Sequence, residues 1–186
     1  MAKEKSTNMV TADQVQQWKD KYGILKIIEY GELLAYFRKP DMRIWRFAIK
    51  AVEKSSAEFK KSLALNCFLG GSRQLLESPY LEDVTDLIDE FIEMPVAEIE
   101  RDGNAYLVKV AGKSCRLKPI NIEMQALAER NNPDDVPFKT QQNLLQMLWI
   151  EGDEDLRDEK NADCHMPLLK IVKDLREKHQ LSIKNA

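Results

Sequence analysis

The sequence predicts an α+β fold of two tandem ββααα units, with short antiparallel sheets and amphipathic helices. Each half of the chain begins with β-prone segments broken by glycine, and three helical patterns follow in each half. Matching apolar residues also recur between the halves at a nearly constant spacing. We therefore expect a mobile tail over residues 1–10, a first unit over residues 11–95 and a second unit over residues 96–186.

A helix and a hairpin open the first unit. Thr11 and Gln14 have the spacing of a capping box, in which a hydroxyl and an amide satisfy backbone donors at a helix start. Gly23 is placed to end this helix, because glycine readily forms a C-terminal cap. The segment ILKIIEYGELLAYFRK then predicts two short strands around Gly31, since its apolar residues favour a pleated, half-buried surface.

The next helix should begin after the first Lys-Pro step. Pro40 cannot donate to a sheet ladder, and Asp41 is a favourable N-cap. At about 100° per residue the apolar residues of this helix share one side. They are Ile44, Trp45, Ala48, Ile49 and Val52. The opposite side carries Arg43, Arg46, Lys50 and Glu53.

Two further helices complete the first unit. Ser55 and Ser56 can cap AEFKKSLALNCFL, which Gly70 and Gly71 then end. The segment LEDVTDLIDEFIEM forms the last helix before Pro95. Residues at helical spacing predict the packed sides of these two helices: Phe59, Leu63, Cys67, Val84, Leu87, Ile88 and Phe91.

The second unit repeats this order. Asp102-Gly103 is a hairpin signal between β-prone segments, and Gly112 can turn the chain into an additional strand. Helices then follow Pro119, begin at Pro137 and occupy the segment MPLLKIVKDLREKHQL. Their apolar residues are Met124, Leu127 and Ala128, then Leu144, Leu145, Leu148 and Trp149, then Leu168, Ile171, Val172 and Leu175.

Residue spacing links the two units more closely. Pro40 and Pro119 are 79 residues apart, and this offset also matches Trp45, Ala48 and Ile49 with Met124, Leu127 and Ala128. The next helices match at an offset of 81 and the last ones at 84. Insertions confined to loops leave helix faces unrotated, so this pattern predicts an internal duplication. The alternative is a chance match, since Lys-Pro before a helix is common.

Composition excludes several classes of protein. Lys+Arg is 28 and Asp+Glu is 31, and this acidic balance argues against a nucleic-acid partner. No apolar run is long enough for a transmembrane helix or a signal peptide, so we expect no membrane partner. Cys67, Cys115 and Cys164 are an odd, widely spaced set, which is typical of a reduced intracellular chain.

Motifs that carry chemistry are weak in this sequence. Cys164 and His165 could form a thiolate–imidazole pair, but adjacent side chains seldom face each other and no third orienting group is evident. Zinc-site spacing is missing, and Gly70-Gly71-Ser72 lacks both the nucleophile-elbow and the phosphate-loop patterns. We therefore expect no catalytic residue, no metal and no cofactor.

A basic cluster surrounds the first Lys-Pro step and is the candidate partner-binding site. Its basic residues are Arg38, Lys39, Arg43, Arg46 and Lys50, and the candidate partner-binding residues are Arg38, Lys39, Arg43, Trp45 and Arg46. Cations on one helix side can contact an acidic protein surface, and tryptophan is a frequent anchor of protein interfaces. The alternative is a solvated helix face with a core tryptophan. At the 79-residue offset the second unit does not preserve the charges.

Three short motifs resemble a family of small proteins of tailed bacteriophages and prophages, which includes tail-assembly chaperones and related structural proteins. The motifs are VQQWKDKYG (Val15 to Gly23), YFRKPDM (Tyr36 to Met42) and NCFLGG (Asn66 to Gly71), and the resemblance covers residues 11–95. It implies a non-enzymatic role in the host cytoplasm or the virion, with a phage tail or capsid protein as partner. The alternatives are a host regulator or anti-defence binding protein, and a small enzyme that uses Cys164 and His165.

Overall fold

A computed structural model describes residues 10–52 and 55–175. The expected tail therefore lies outside the described residues except for Val10, as do Glu53 and the end of the last expected helix, residues 176–181. The chain forms two compact units, Met1–Glu93 (unit 1) and Met94–Ala186 (unit 2). Both combine helices with an antiparallel sheet, so the predicted α+β fold is confirmed.

Unit 1 contains a three-stranded sheet in the order β1-β2-β3. Its elements are α1 (Ala12–Tyr22), β1 (Leu25–Tyr30), β2 (Leu33–Arg38), α2 (Met42–Val52), α3 (Ser56–Cys67), β3 (Phe68–Gly71), a 3-10 turn (Arg73–Leu76) and α4 (Tyr80–Phe91). The expected capping box of α1 is present, because the Thr11 hydroxyl accepts from the Gln14 N–H and the Gln14 side chain accepts from the Thr11 N–H.

Unit 2 contains a four-stranded sheet in the order β4-β5-β6-β7. Its elements are β4 (Glu98–Asp102), β5 (Ala105–Val110), β6 (Lys113–Leu117), α5 (Ile122–Arg130), α6 (Lys139–Leu148), β7 (Trp149–Gly152), a 3-10 turn (Glu154–Leu156) and α7 (Ala162–Val172). The hairpin at Gly103 and the additional strand after Gly112 are confirmed. The last helix begins earlier than predicted and contains Pro167 in its interior.

Each unit has one strand that the ββααα prediction lacks. The segments FLGG and WIEG, expected as helix ends, form β3 and β7. Both helices end where the backbone becomes extended, at Phe68 and Trp149. The new strands then pair antiparallel with β2 and β6. The observed unit is therefore ββααβα, with one additional element in front of each copy, α1 in unit 1 and β4 in unit 2.

The register of the repeat in its first elements is 80 residues, not the predicted 79. Ala35 pairs with Gly71 and Cys115 pairs with Gly152, and a register shift follows in both sheets. The N-caps agree with this spacing, because Asp41 accepts from the Ile44 N–H and Asn121 accepts from the Met124 N–H. The two Lys-Pro steps are therefore offset from each other by one position.

One predicted helix face is also corrected by this register. Ala128 is fully buried, as is its equivalent Ala48. Leu127, expected on the apolar side of α5, is 44% exposed. The offsets of 81 and 84 agree with the burial of the matched pairs Leu63–Leu144, Cys67–Leu148, Val84–Leu168 and Ile88–Val172. Two expected positions are wrong, because Leu87 on α4 and Val52 at the end of α2 are each 46% exposed.

A glycine is the last residue of β3 in unit 1 and of β7 in unit 2. Gly71 and Gly152 have φ of 104° and 145°, and a Cβ at either position would collide with the paired strand. The residue after each glycine forms two hydrogen bonds with the neighbouring strand, β2 or β6. The Ser72 N–H donates to the Leu34 carbonyl and the Ser72 hydroxyl accepts from the Leu34 N–H, at 2.6 and 3.1 Å. In unit 2, Asp153 makes the same two bonds with Ser114, at 2.9 and 2.8 Å.

None of the helices within residues 10–52 and 55–175 is long and apolar enough to cross a membrane.

Candidate partner-binding site

Arg38 of the predicted cluster acts inside unit 1. Its guanidinium forms an ion pair with Asp41 at 2.9 Å and lies 4.7 Å from the centre of the Tyr22 ring. Asp41 in turn accepts the Ile44 N–H at the start of α2, at 2.9 Å. Burial alone would raise the pKa of Asp41, but the bonds from Ile44 and Arg38 outweigh burial and hold the pKa below its usual value. Arg38 therefore orients the capping carboxylate of α2.

Trp45 belongs to the core of unit 1 and not to a surface. Its side chain is 8% exposed, and its ring lies 6.1 Å from that of Phe59 on α3. The expected role of Trp45 as a partner anchor requires exposure, so we correct it to a core residue. Lys39 and Arg46 are half-buried, and each has an interaction partner.

The exposed outer side of α2 has a feature that the sequence interpretation missed. Phe47 is 62% exposed, although it is a large aromatic residue. Arg43 and Lys50 are exposed four residues before it and three residues after it, so they lie beside the ring on the helix surface. We call Arg43, Phe47 and Lys50 the Phe47 face. The signal was present in the sequence, because Phe47 falls on the charged side of the predicted helix.

Unit 2 repeats the apolar part of this surface but not its charge. At the observed offset of 80, Leu127 is equivalent to Phe47 and is also exposed. Glu123 and Arg130 stand in place of Arg43 and Lys50, so one cation is replaced by an anion. Two exposed cations, one on each side of the exposed apolar residue along the helix, therefore distinguish α2 from α5.

The Cys164–His165 pair does not have the arrangement that nucleophilic catalysis requires. His165 is buried, with Nδ1 at 2.8 Å from the Leu156 carbonyl and Nε2 at 3.3 Å from the Gln142 side-chain nitrogen. Burial, followed by the Asp155 and Asp163 carboxylates, raises the pKa of the Cys164 thiol. A buried, protonated thiol is a poor nucleophile. These two residues have the features of core packing.

The other two cysteines are also buried. Burial raises the pKa of both Cys67 and Cys115 to about 12. Within the described residues no group of three or more His, Cys, Asp or Glu side chains could hold a metal ion. Comparisons with protein-family models, with curated proteins and with solved structures found no match to this chain.

Proposed function

We propose that this protein is a non-enzymatic phage assembly or virion-associated protein, which binds another phage structural protein through the Phe47 face of α2. The exposed Phe47 between Arg43 and Lys50 is the observation that carries the proposal. An aromatic side chain at the centre of a patch, with polar residues around it, is the usual composition of an interface hot spot.

The chemistry of the Phe47 face defines the partner surface. Phe47 needs an apolar pocket or groove, because burial of its ring supplies most of the binding free energy. Arg43 and Lys50 need carboxylates at the rim of that pocket. These rim charges mainly increase the association rate and make it depend on ionic strength. A tail or capsid protein that has an apolar groove with carboxylates at its rim is the partner that fits.

The phage context comes from the resemblance of residues 11–95 to small proteins of tailed phages. A host regulator or anti-defence protein could use the same surface, so the identity of the bound protein separates these readings. A Cys/His enzyme receives no support from the buried thiol of Cys164.

The experiment compares three forms of the full chain against individually purified tail and capsid proteins, and against the host proteins, of a prophage-bearing host. They are the wild type, Phe47→Ser and Leu127→Ser, the last being the equivalent exposed position of unit 2. Phe47→Ser should weaken binding at least tenfold, since a hot-spot truncation costs about 2 kcal/mol or more. Leu127→Ser should leave binding unchanged.

Three outcomes would each overturn a part of the proposal. Equal binding by Phe47→Ser and the wild type would reject the Phe47 face. Binding of host proteins through Phe47, with no tail or capsid protein retained, would reject the phage role and favour the host regulator. Binding that does not weaken with added salt would reject the role of Arg43 and Lys50.

A further inference from the structure

The outer edge of β1 has no neighbouring strand among the described residues, whereas the equivalent strand of unit 2 is covered by β4. β1 pairs with β2 and, within the described residues, with no other strand. Its equivalent in unit 2, β5, pairs with β6 on one side and with β4 on the other. Ile28 faces Ala35 across the sheet as Val108 faces Cys115, so these two strands share the 80-residue register. The pairing of β4 with β5 therefore shows how an added strand would pair with β1.

The two outermost strands differ in how they are protected. β4 has the sequence EIERD, in which four of the five residues are charged, and all five are exposed. Charged residues on an edge strand discourage pairing with other chains. β1 has the sequence LKIIEY and leaves Ile27 49% and Tyr30 62% exposed. An open, apolar edge strand is a template for strand addition.

A groove between β1 and α4 lies beside this edge. It contains a cavity of about 100 Å³, whose lining includes Lys26 and Ile28 of β1 and Leu87 of α4. Leu87 is 46% exposed. Sites for drug-sized ligands begin at about 300 Å³, so this cavity suits a single aliphatic side chain. A strand added to β1 would place alternate side chains over it.

We propose that β1 and this groove bind an extended segment of another polypeptide, which joins the sheet as a fourth strand antiparallel to β1. This site shares no residue with the Phe47 face and does not depend on the function proposed for that face. If the bound segment pairs with β1 as β4 pairs with β5, its residue opposite Ile28 takes the place of Ile99. That residue is aliphatic and covers the cavity. Residues directly opposite each other in a sheet interact, so Lys26 requires an acidic partner and Glu29 a basic one. From its N-terminus the bound segment reads basic, aliphatic, any residue, acidic.

The same register excludes β4 of a second copy as the occupant. β4 places Glu98 opposite Lys109 and Arg101 opposite Tyr106, whose equivalents in β1 are Glu29 and Lys26. Bound to β1, β4 would therefore create two like-charge pairs, which are destabilising. Segments 1–9 and 176–186 of this chain lack the required pattern.

β1 of a second copy has the required order of residues in Lys26 to Glu29. It cannot pair in the required register, because alternate residues of a strand direct their N–H and C=O groups to opposite sides. In a hairpin with a two-residue turn, the pair next to the turn is hydrogen-bonded, and here that pair is Tyr30 and Leu33. Hydrogen-bonded pairs alternate along the strands, so Ile28 and Lys26 also bond to β2. Only the alternate residues, such as Ile27 and Glu29, direct their N–H and C=O outward. Two copies of β1 therefore cannot set Lys26 opposite Glu29.

The test uses the full chain and two synthetic peptides of identical composition. The first, Thr-Lys-Ile-Thr-Glu-Thr, carries the proposed pattern, and the second, Thr-Glu-Ile-Thr-Lys-Thr, exchanges its charges. Wild-type protein should prefer the first peptide roughly tenfold, because two attractive pairs replace two repulsive ones. The double variant K26E/E29K changes only exposed side chains and should reverse the preference. Amide NMR shifts should locate binding at residues 25–30 and at Leu87.

N-methylation of the peptide tests main-chain pairing directly. Methylation of the residue opposite Ile27 should abolish binding, because its N–H faces β1. Methylation of the residue opposite Ile28 should be tolerated, because its N–H faces away. Three results would each overturn the proposal: no saturable binding, equal affinity for both peptides, or an unchanged preference in K26E/E29K. Dimerisation of the chain through residues 25–30 would identify a second copy as the occupant and would overturn it as well.

Discussion

Replacing Gly71 or Gly152 by alanine should destabilise the unit that contains it far more than the same change at another positive-φ glycine. Both residues end a strand that lies against the inner strand of its sheet. A Cβ at Gly71 would overlap the Leu34 carbonyl oxygen and lie 3.1 Å from Cα of Ala35. A Cβ at Gly152 would lie 2.5 Å from Cα of Cys115. These neighbours include backbone atoms, which cannot move without breaking the sheet.

The expected magnitude has two parts. Alanine at a strained positive φ costs about 1–3 kcal/mol, and overpacking against a fixed neighbour adds about 1–3 kcal/mol. Gly71→Ala and Gly152→Ala should therefore cost roughly 2–6 kcal/mol in the free energy of unfolding. The matched controls are Gly31→Ala and Gly112→Ala, which have φ of 58° and 76° and nothing within 4 Å of the added Cβ. They should cost only about 1–2 kcal/mol.

Native-state amide hydrogen exchange is the suitable assay, because it reports the free energy of opening separately for unit 1 and unit 2. Gly71→Ala should lower protection in unit 1 alone, and Gly152→Ala in unit 2 alone. A cost at Gly71 equal to that at Gly31 would refute the steric argument. A large cost at one of Gly71 and Gly152, with a control-sized cost at the other, would refute their structural equivalence.

Three further predictions concern side chains. Asp41→Ala should cost about 1 kcal/mol at neutral pH through loss of the α2 cap. Because the folded-state pKa of Asp41 lies below the ordinary 3.8, chemical denaturation should show this difference shrinking as the pH falls below 3.8. Cys67 and Cys115, whose thiol pKa values are about 12, should resist iodoacetamide at pH near 8 until the chain unfolds, as mass spectrometry can follow. His165→Ala should cost about 2–4 kcal/mol in thermal or urea unfolding, because it leaves a cavity and an unpaired Leu156 carbonyl.

The sequence contained enough information to predict the repeat, but not its register in the first elements. The Lys-Pro steps at Pro40 and Pro119 are conspicuous and suggested an offset of 79. Backbone pairing determines the register instead, and the caps Asp41 and Asn121 together with Ala48 indicate 80. A one-residue shift rotates a helix by about 100°, which is why Leu127 was expected inside and lies outside.

The strands β3 and β7 could not be read from the sequence for a different reason. Each has four residues and follows a helix with no loop, so neither a period of two nor a turn signal develops. Their extended conformation depends on pairing with β2 and β6, which are distant in sequence. The candidate site had a similar limit. The sequence indicated the charges of α2 but could not show that Trp45 is buried and Phe47 exposed.

The elements added to the two copies account for which parts of each sheet remain accessible. In unit 1, α1 covers the outer face of the sheet, where the Trp18 and Tyr36 rings are 5.7 Å apart. In unit 2 the residue equivalent to Tyr36 is Arg116, which pairs with Asp102 and Glu151 at 2.9 and 3.0 Å on an exposed face. Unit 2 thus has a charged outermost strand and a solvated face, whereas unit 1 has a covered face and an apolar outermost strand. Both outermost strands leave N–H and C=O groups without a strand partner, but charged side chains discourage pairing with another chain, whereas exposed apolar side chains favour it. Of the two copies, unit 1 is therefore the one whose sheet gains most from a partner strand.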